Sequence, residues 1–186
     1  MIYALLDKEA LDQRGILLED IVKKIKSLSV PIVQYRNKSG SLKTQRSDLK
    51  LIRSLYSGNL IINDTIELID EADGLHIGQE DIRSYSDDLQ EAIAIIRHNI
   101  GRKVLGLSTH NYDEIMIANR LDLNYIGLGA YRKTSTKSDA KVLGKEALRL
   151  AQYSKHPVGL IGGVKLSDQF DSTITYRVIG SDLYEN

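Results

Sequence analysis

The sequence predicts an α/β fold in which eight parallel strands, most of them followed by a helix, close into one barrel. Three observations carry this. Short apolar, β-rich runs recur along the 186 residues, and most are followed by a stretch of helical periodicity. Only two prolines occur and no long linker separates the units, so residues 1–186 read as one domain. The first strand–helix turn also lacks the glycine fingerprint that an open doubly wound sheet would place there. The expected architecture is a (β/α)8 TIM barrel.

The strands are expected near Ile2–Leu6, Pro31–Arg36, Leu60–Asn63, Gly74–Ile77, Val104–Ser108, Tyr125–Gly129, Val158–Ile161 and Thr175–Ile179. Amphipathic helices are expected over Leu18–Leu28, Leu42–Tyr56, Asp87–Asn99, Tyr112–Asn119 and Leu143–Tyr153, with a shorter one at Thr65–Glu71. Asn111 with Glu114 three residues on is a capping-box pattern that starts one of them. Barrels of this kind take about 250 residues, so this chain is economical. Lys165–Phe170 leaves room for a short helix only, and the five residues after Ser181 are too few for a closing helix. One apolar flank should then lie bare, and self-association into a homo-oligomer is the expected cover.

Hydrophobic residues make up 42% and charged residues 27%, an ordinary globular balance. Lys+Arg and Asp+Glu number 25 each, so the formal net charge is zero. That argues against bulk attraction to nucleic acid or to an anionic membrane. The absence of cysteine excludes disulfides, zinc–thiolate sites and a thiol nucleophile. The first residues lack the basic start and apolar run of a secretory signal, and no apolar stretch approaches a membrane span. Cytoplasm is the expected location.

Active sites of such barrels form at the carboxyl ends of the strands. The second strand ends Gln34-Tyr35-Arg36-Asn37-Lys38. Side chains alternate along a strand, so Gln34, Arg36 and Lys38 share a face. Helices cover the outside of the barrel, which turns that polar face to the mouth; a solvated loop with ordinary surface charge is the plainer alternative. The third strand ends in Asn63-Asp64, and the fourth runs from His76 into Gly78-Gln79-Glu80-Asp81. Two carboxylates thus leave neighbouring strands at one end, a hard-oxygen pair suited to magnesium alongside substrate phosphates. A helix N-cap is the plainer role for Asp64, and a packed, hydrogen-bonded strand position is the plainer role for His76.

The fifth strand ends in Ser108, and the sixth opens the loop Thr134-Ser135-Thr136-Lys137, whose hydroxyls and lysine could clamp a phosphate. Tyr131–Lys141 around it is the expected lid. The seventh strand ends Gly162-Gly163 and the eighth Gly180-Ser181, where this fold commonly holds phosphate; tight turns alone would also use these glycines. Three cations, a two-carboxylate metal site and separate phosphate cradles exceed the needs of one monophosphate. Two anionic groups, one a metal-bound diphosphate, match the mouth better.

Together these segments resemble the thiamine-phosphate synthase family. Gln34–Lys38, Ile61–Asp64, Ala72–Asp81, Leu105–His110, Tyr125–Gly129, Thr134–Lys137 and Ile161–Gly163 stand in family order over most of the chain. The resemblance implies a transferase that joins a hydroxymethylpyrimidine diphosphate to a thiazole phosphate. It further implies that Gln34, Arg36, Lys38, Asn63, Ser108 and Lys137 hold the pyrimidine diphosphate, with Arg36, Lys38 and Lys137 stabilising the leaving group. Asp64 and Asp81 would bind Mg2+, and Thr134, Ser135, Thr136, Gly163, Gly180 and Ser181 would hold the thiazole phosphate. Asn37 stands where the family usually has an acidic residue. Ser172-Thr173-Ile174-Thr175-Tyr176 replaces a Gly-Ala-Asp-Gly lead-in to the last strand.

Two rivals remain at this level. The related thiazole tautomerases are similar but carry a histidine where this chain has Ala130, and they lack the Thr-x-Thr-Lys block. A non-catalytic barrel regulating a partner would keep a phosphate cradle while losing the metal or leaving-group residues, all of which are present here.

Overall fold

The computed structural model describes residues 1–133 and 141–185. Eight strands pair in sequence order, all parallel, and the last returns to the first. They are β1 (Ile2–Asp7), β2 (Ile32–Arg36), β3 (Asn59–Asn63), β4 (Gly74–Ile77), β5 (Val104–Thr109), β6 (Tyr125–Leu128), β7 (Val158–Leu160) and β8 (Tyr176–Ile179). The helices are α1 (Lys8–Gln13), α2 (Leu18–Ser27), α3 (Leu42–Leu55), α4 (Leu89–Ile100), α5 (Tyr112–Ala118), α6 (Lys145–Ala151) and α7 (Asp182–Glu185). No helix among the described residues is long and apolar enough to cross a membrane.

Strand alternation divides the apolar residues into two cores. Outward positions such as Leu6, Val33, Ile62, Leu75, Leu107, Ile126 and Leu160 pack beneath the helices, where they meet Ile25, Leu49, Ile52 and Ile96. Fully burying one such side chain stabilises by about 1.5–3 kcal/mol. Inward positions Tyr3, Leu5, Ile61, Tyr125 and Val178 form a separate plug inside the barrel. Polar inward residues lie above the plug, at the carboxyl ends. The plug therefore makes the floor of the mouth.

The helices start where the sequence supplies caps. Ser41 Oγ accepts from Thr44 N at 3.1 Å to open α3, and Asp88 accepts from Gln90 and Glu91 to open α4. The Asn111–Glu114 box forms as expected: Glu114 N donates to Asn111 Oδ1 at 2.9 Å. The carboxylate of Glu114, however, reaches one residue further back, accepting from His110 N at 2.7 Å.

The expected strands and the five amphipathic helices agree with the observed ones to within two residues. The short helix near Thr65–Glu71 is a 3₁₀ turn over Ile66–Glu71. Neither α1 nor the 3₁₀ turn Asp81–Ser84 was anticipated. Lys165–Phe170 forms no helix. Its polar groups are taken by other partners: Asp168 accepts from Lys165 N at 2.8 Å, and the Arg177 guanidinium donates to the carbonyls of Leu166 and Asp168. The chain does end in a closing helix, the single turn α7, which buries Leu183 completely. Among the described residues around β7 and β8, Val164, Ile174 and Leu183 are buried, so the short connections there still cover apolar surface.

Candidate active site

A cleft of about 940 Å³, counted out to open solvent, lies over the carboxyl ends of the strands. Gln34, Arg36, Lys38, Asn63, Asp64, Asp81, Ser108, Gly163, Gly180 and Ser181 all line it. Thr134, Ser135, Thr136 and Lys137, with most of the expected lid Tyr131–Lys141, lie outside the described residues.

The β2–β4 side is built from charged side chains. Lys38 Nζ sits 3.0 Å from Asp64 Oδ2 and 3.1 Å from Asp81 Oδ2. Burial alone would lower the Lys38 pKa, but the two carboxylates outweigh it and hold the ammonium above its ordinary range. Asp64 does not cap the turn that follows it. Its Oδ1 accepts from Gly78 N at 3.0 Å, and Asn63 Nδ2 donates to Oδ2. The residue is left-handed, with φ 60, a conformation costing a non-glycine residue about 1–2 kcal/mol. The bond from Asp64 N to His76 O, 2.9 Å, holds it there and aims the carboxylate at Lys38. A Cβ on Gly78 would come 2.7 Å from Asp81 Oδ2, so glycine is what lets the second carboxylate lie this close to the strand end.

Two carboxylates converging on one cation are a donor set that suits Mg2+. Among the described residues no group of three or more His, Cys, Asp or Glu could hold a metal. A divalent ion here would complete its shell with water and substrate oxygen, the usual habit of magnesium. Arg36 is likewise held by acids: its guanidinium pairs with Asp7, which is 4% exposed, and lies 3.7 Å from Glu9. Asp7 also caps α1 through Ala10 N, at 3.0 Å. Neither acid was anticipated, although a polar residue closing an apolar first strand was a signal for Asp7.

The β6–β8 side is built from backbone. Gly162 and Gly163 have φ of 91 and 62, and a Cβ on Gly163 would stand 2.7 Å from that of Arg132. The loops after β6 and β7 zip together through Tyr131 N to Ile161 O and Arg132 N to Gly162 O, both 2.8 Å. Arg132 locks them: its fork grips Asp168 at 2.6 and 3.0 Å and donates to Gly163 O at 2.9 Å. That guanidinium holds the Asp168 carboxyl below its ordinary range. Nothing local in the sequence marked this pair, which joins positions 36 residues apart.

Between the two sides stands a polar line. His76 is 8% exposed, as a packed strand residue should be. Its Nε2 lies 3.0 Å from Ser108 Oγ and its Nδ1 2.9 Å from the Tyr125 hydroxyl. Ala130, 6% exposed, also lines the cleft.

The comparisons with known proteins agree with this geometry. A family model described as thiamine monophosphate synthase matches residues 2–175. The thiamine-phosphate synthase of Dictyoglomus thermophilum is 33% identical over 183 residues, covering 89% of this chain and 78% of that protein. That of Clostridium acetobutylicum is 38% identical over 170 residues, covering 88% and 75%. A solved structure titled thiamine phosphate pyrophosphorylase, from Pyrococcus furiosus, superposes with a TM-score of 0.76 at 20% identity, covering 97% of this chain and 85% of that one; it supports the barrel fold. With a family model over most of its length and relatives above 30% identity, the chain belongs to the thiamine monophosphate synthase family.

Proposed function

We propose that the cleft couples 4-amino-2-methyl-5-hydroxymethylpyrimidine diphosphate to a thiazole phosphate, giving thiamine monophosphate and diphosphate. The observation that carries the reading is the convergence of Asp64 and Asp81 on Lys38 beside Arg36, in a chain of this family. The thiazole nitrogen is a nucleophile as it stands, so no general base is required. The C–N bond forms at the pyrimidine methylene as the C–O bond to diphosphate breaks, and the leaving oxygen takes the electron pair. The aminopyrimidine ring can delocalise the positive charge left on that carbon, which makes a dissociative path reasonable.

The work of the protein is then electrostatic. Preorganised cations in a partly dry mouth stabilise charge that appears only as the leaving group departs. Arg36 and Lys38 exchange their acid partners for diphosphate oxygens, and Lys137 joins them. Asp64 and Asp81 would hold Mg2+, which when bound would supply further neutralisation of the diphosphate. Gln34, Asn63 and Ser108 hold the pyrimidine side of that substrate. Thr134, Ser135, Thr136 and the backbone at Gly163, Gly180 and Ser181 hold the thiazole phosphate. Ala130 in the cleft wall gives no imidazole for the tautomerase alternative.

The test mixes purified protein with both substrates and either Mg2+ or EDTA, and follows thiamine monophosphate by chromatography. Product formed with Mg2+ and lost with EDTA is the expected result. A folded protein that binds either substrate without turnover would overturn the assignment in favour of a regulatory barrel.

A further inference from the structure

Four groups form an unbroken hydrogen-bonded line from the barrel floor to the cleft. The Tyr3 and Tyr125 hydroxyls are 2.8 Å apart, Tyr125 meets His76 Nδ1 at 2.9 Å, and His76 Nε2 meets Ser108 Oγ at 3.0 Å. His76 also stacks on the Tyr125 ring, with centroids 5.5 Å apart. The neighbouring strands make space for the line. A Cβ on Gly106 would stand 2.2 Å from Tyr125 Cζ, and one on Gly127 would stand 3.1 Å from His76 Cε1.

The line has a direction, set at its buried end. Tyr3 is 1% exposed, and among the described residues its hydroxyl has the Tyr125 hydroxyl as its partner. A buried donor hydrogen without an acceptor costs about 1–3 kcal/mol, and unused acceptor lone pairs are better tolerated. Tyr3 therefore donates to Tyr125. With one hydrogen on its oxygen, Tyr125 must pass that hydrogen to His76 Nδ1. Burial pushes both phenols above their ordinary pKa, so each keeps its hydrogen. A His76 ring that accepts at Nδ1 is neutral and carries its hydrogen on Nε2, which then donates to Ser108.

We infer that Tyr3, Tyr125 and His76 act as positioning residues which fix Ser108 as a hydrogen-bond donor into the cleft, so that Ser108 selects an acceptor atom on the substrate. This rests on the proposed role of Ser108 in holding the pyrimidine diphosphate. The aminopyrimidine ring offers ring nitrogens as acceptors and an amino group as donor. The line thus orients a ring nitrogen, and not the amino group, toward Ser108.

The test uses the whole protein labelled with ¹⁵N-histidine, with the His76 tautomer read from long-range ¹H–¹⁵N correlations. Expected is a neutral ring with its hydrogen on Nε2. Tyr3→Phe keeps the volume but removes the terminal donor, so the ring should become a mixture of tautomers. KM for hydroxymethylpyrimidine diphosphate should rise about threefold or more, with KM for the thiazole phosphate unchanged. Tyr125→Phe should act in the same direction if Tyr3→Phe does not fold. A wild-type ring carrying its hydrogen on Nδ1, or on both nitrogens, at neutral pH overturns the inference. The expected tautomer with KM unmoved in both Tyr3→Phe and Ser108→Ala would keep the line but overturn Ser108 as a substrate contact. Failure of the coupling assay itself would overturn the proposed reaction, and the tautomer would still be decided by the spectrum.

Discussion

The two sides of the mouth are built differently. The β2–β4 side presents charged side chains: Lys38 lies between Asp64 and Asp81, and Arg36 pairs with Asp7 and lies near Glu9. On the β6–β8 side the described residues present backbone at Gly163, Gly180 and Ser181, on loops near short helices of 7 and 4 residues. The charged side carries its own neutralisation and can be assembled before any ligand arrives. The backbone side needs its loops pinned, and Arg132 with Asp168 is the pin. Damage should therefore be local in the first case and transmitted in the second.

The largest expected effect tests the charged side. Asp64→Ala should fold normally, by circular dichroism, yet lose about 10²–10³ in turnover; Lys137→Ala should lose a similar amount. Near-wild-type rates in either would remove that residue from the mechanism. Arg132→Ala should spare the charged side and raise KM for the thiazole phosphate about tenfold, the equivalent of about 1.4 kcal/mol, because charge-assisted bonds of this kind contribute about 1.5–3 kcal/mol. An equal rise for the pyrimidine diphosphate would erase the distinction between the two sides. Gly163→Ala should act on the same KM by a smaller factor, since its left-handed φ costs alanine about 1–2 kcal/mol and its methyl meets Arg132.

The smallest effect concerns acid. The Asp168 carboxyl is held low, first of all by its bond to Arg132. Stability from this pair is present in full above the unfolded carboxylate value of about 3.9. It is lost as the pH falls through the lower folded value. Urea midpoints of wild type and Arg132→Met should thus converge as the pH drops from 5 toward about 2; a constant gap would assign the stabilisation to packing.

The same contrast explains what could be read from the sequence. The charged side was legible because strand alternation places Gln34, Arg36 and Lys38 on one face without knowledge of any partner. Asn63, Asp64 and Asp81 followed from strand ends alone. The Gly163, Gly180 and Ser181 positions also line the cleft as expected. The scaffold beneath them was not legible. The Lys165–Phe170 segment has room for a short helix, but Arg132, 36 residues away, claims Asp168, and Arg177 claims the carbonyls of Leu166 and Asp168. His76 was read correctly as a packed strand residue, yet its partners Tyr3 and Tyr125 lie on strands far apart in the chain. Partners fixed by closure of the ring leave no local trace.

One small contact bears on how the molecule comes to exist at all. The Tyr184 hydroxyl donates to Leu5 O and accepts from Asp7 N, each at 2.9 Å. The first contact spans 179 residues and the second 177. Closing so wide a loop is entropically slow. On the ribosome, β1 emerges first, but its open edge must wait for β8 and Tyr184 before the ring can be sealed. Until then the nascent barrel is an open sheet with an unpaired strand, the species most exposed to wrong pairing.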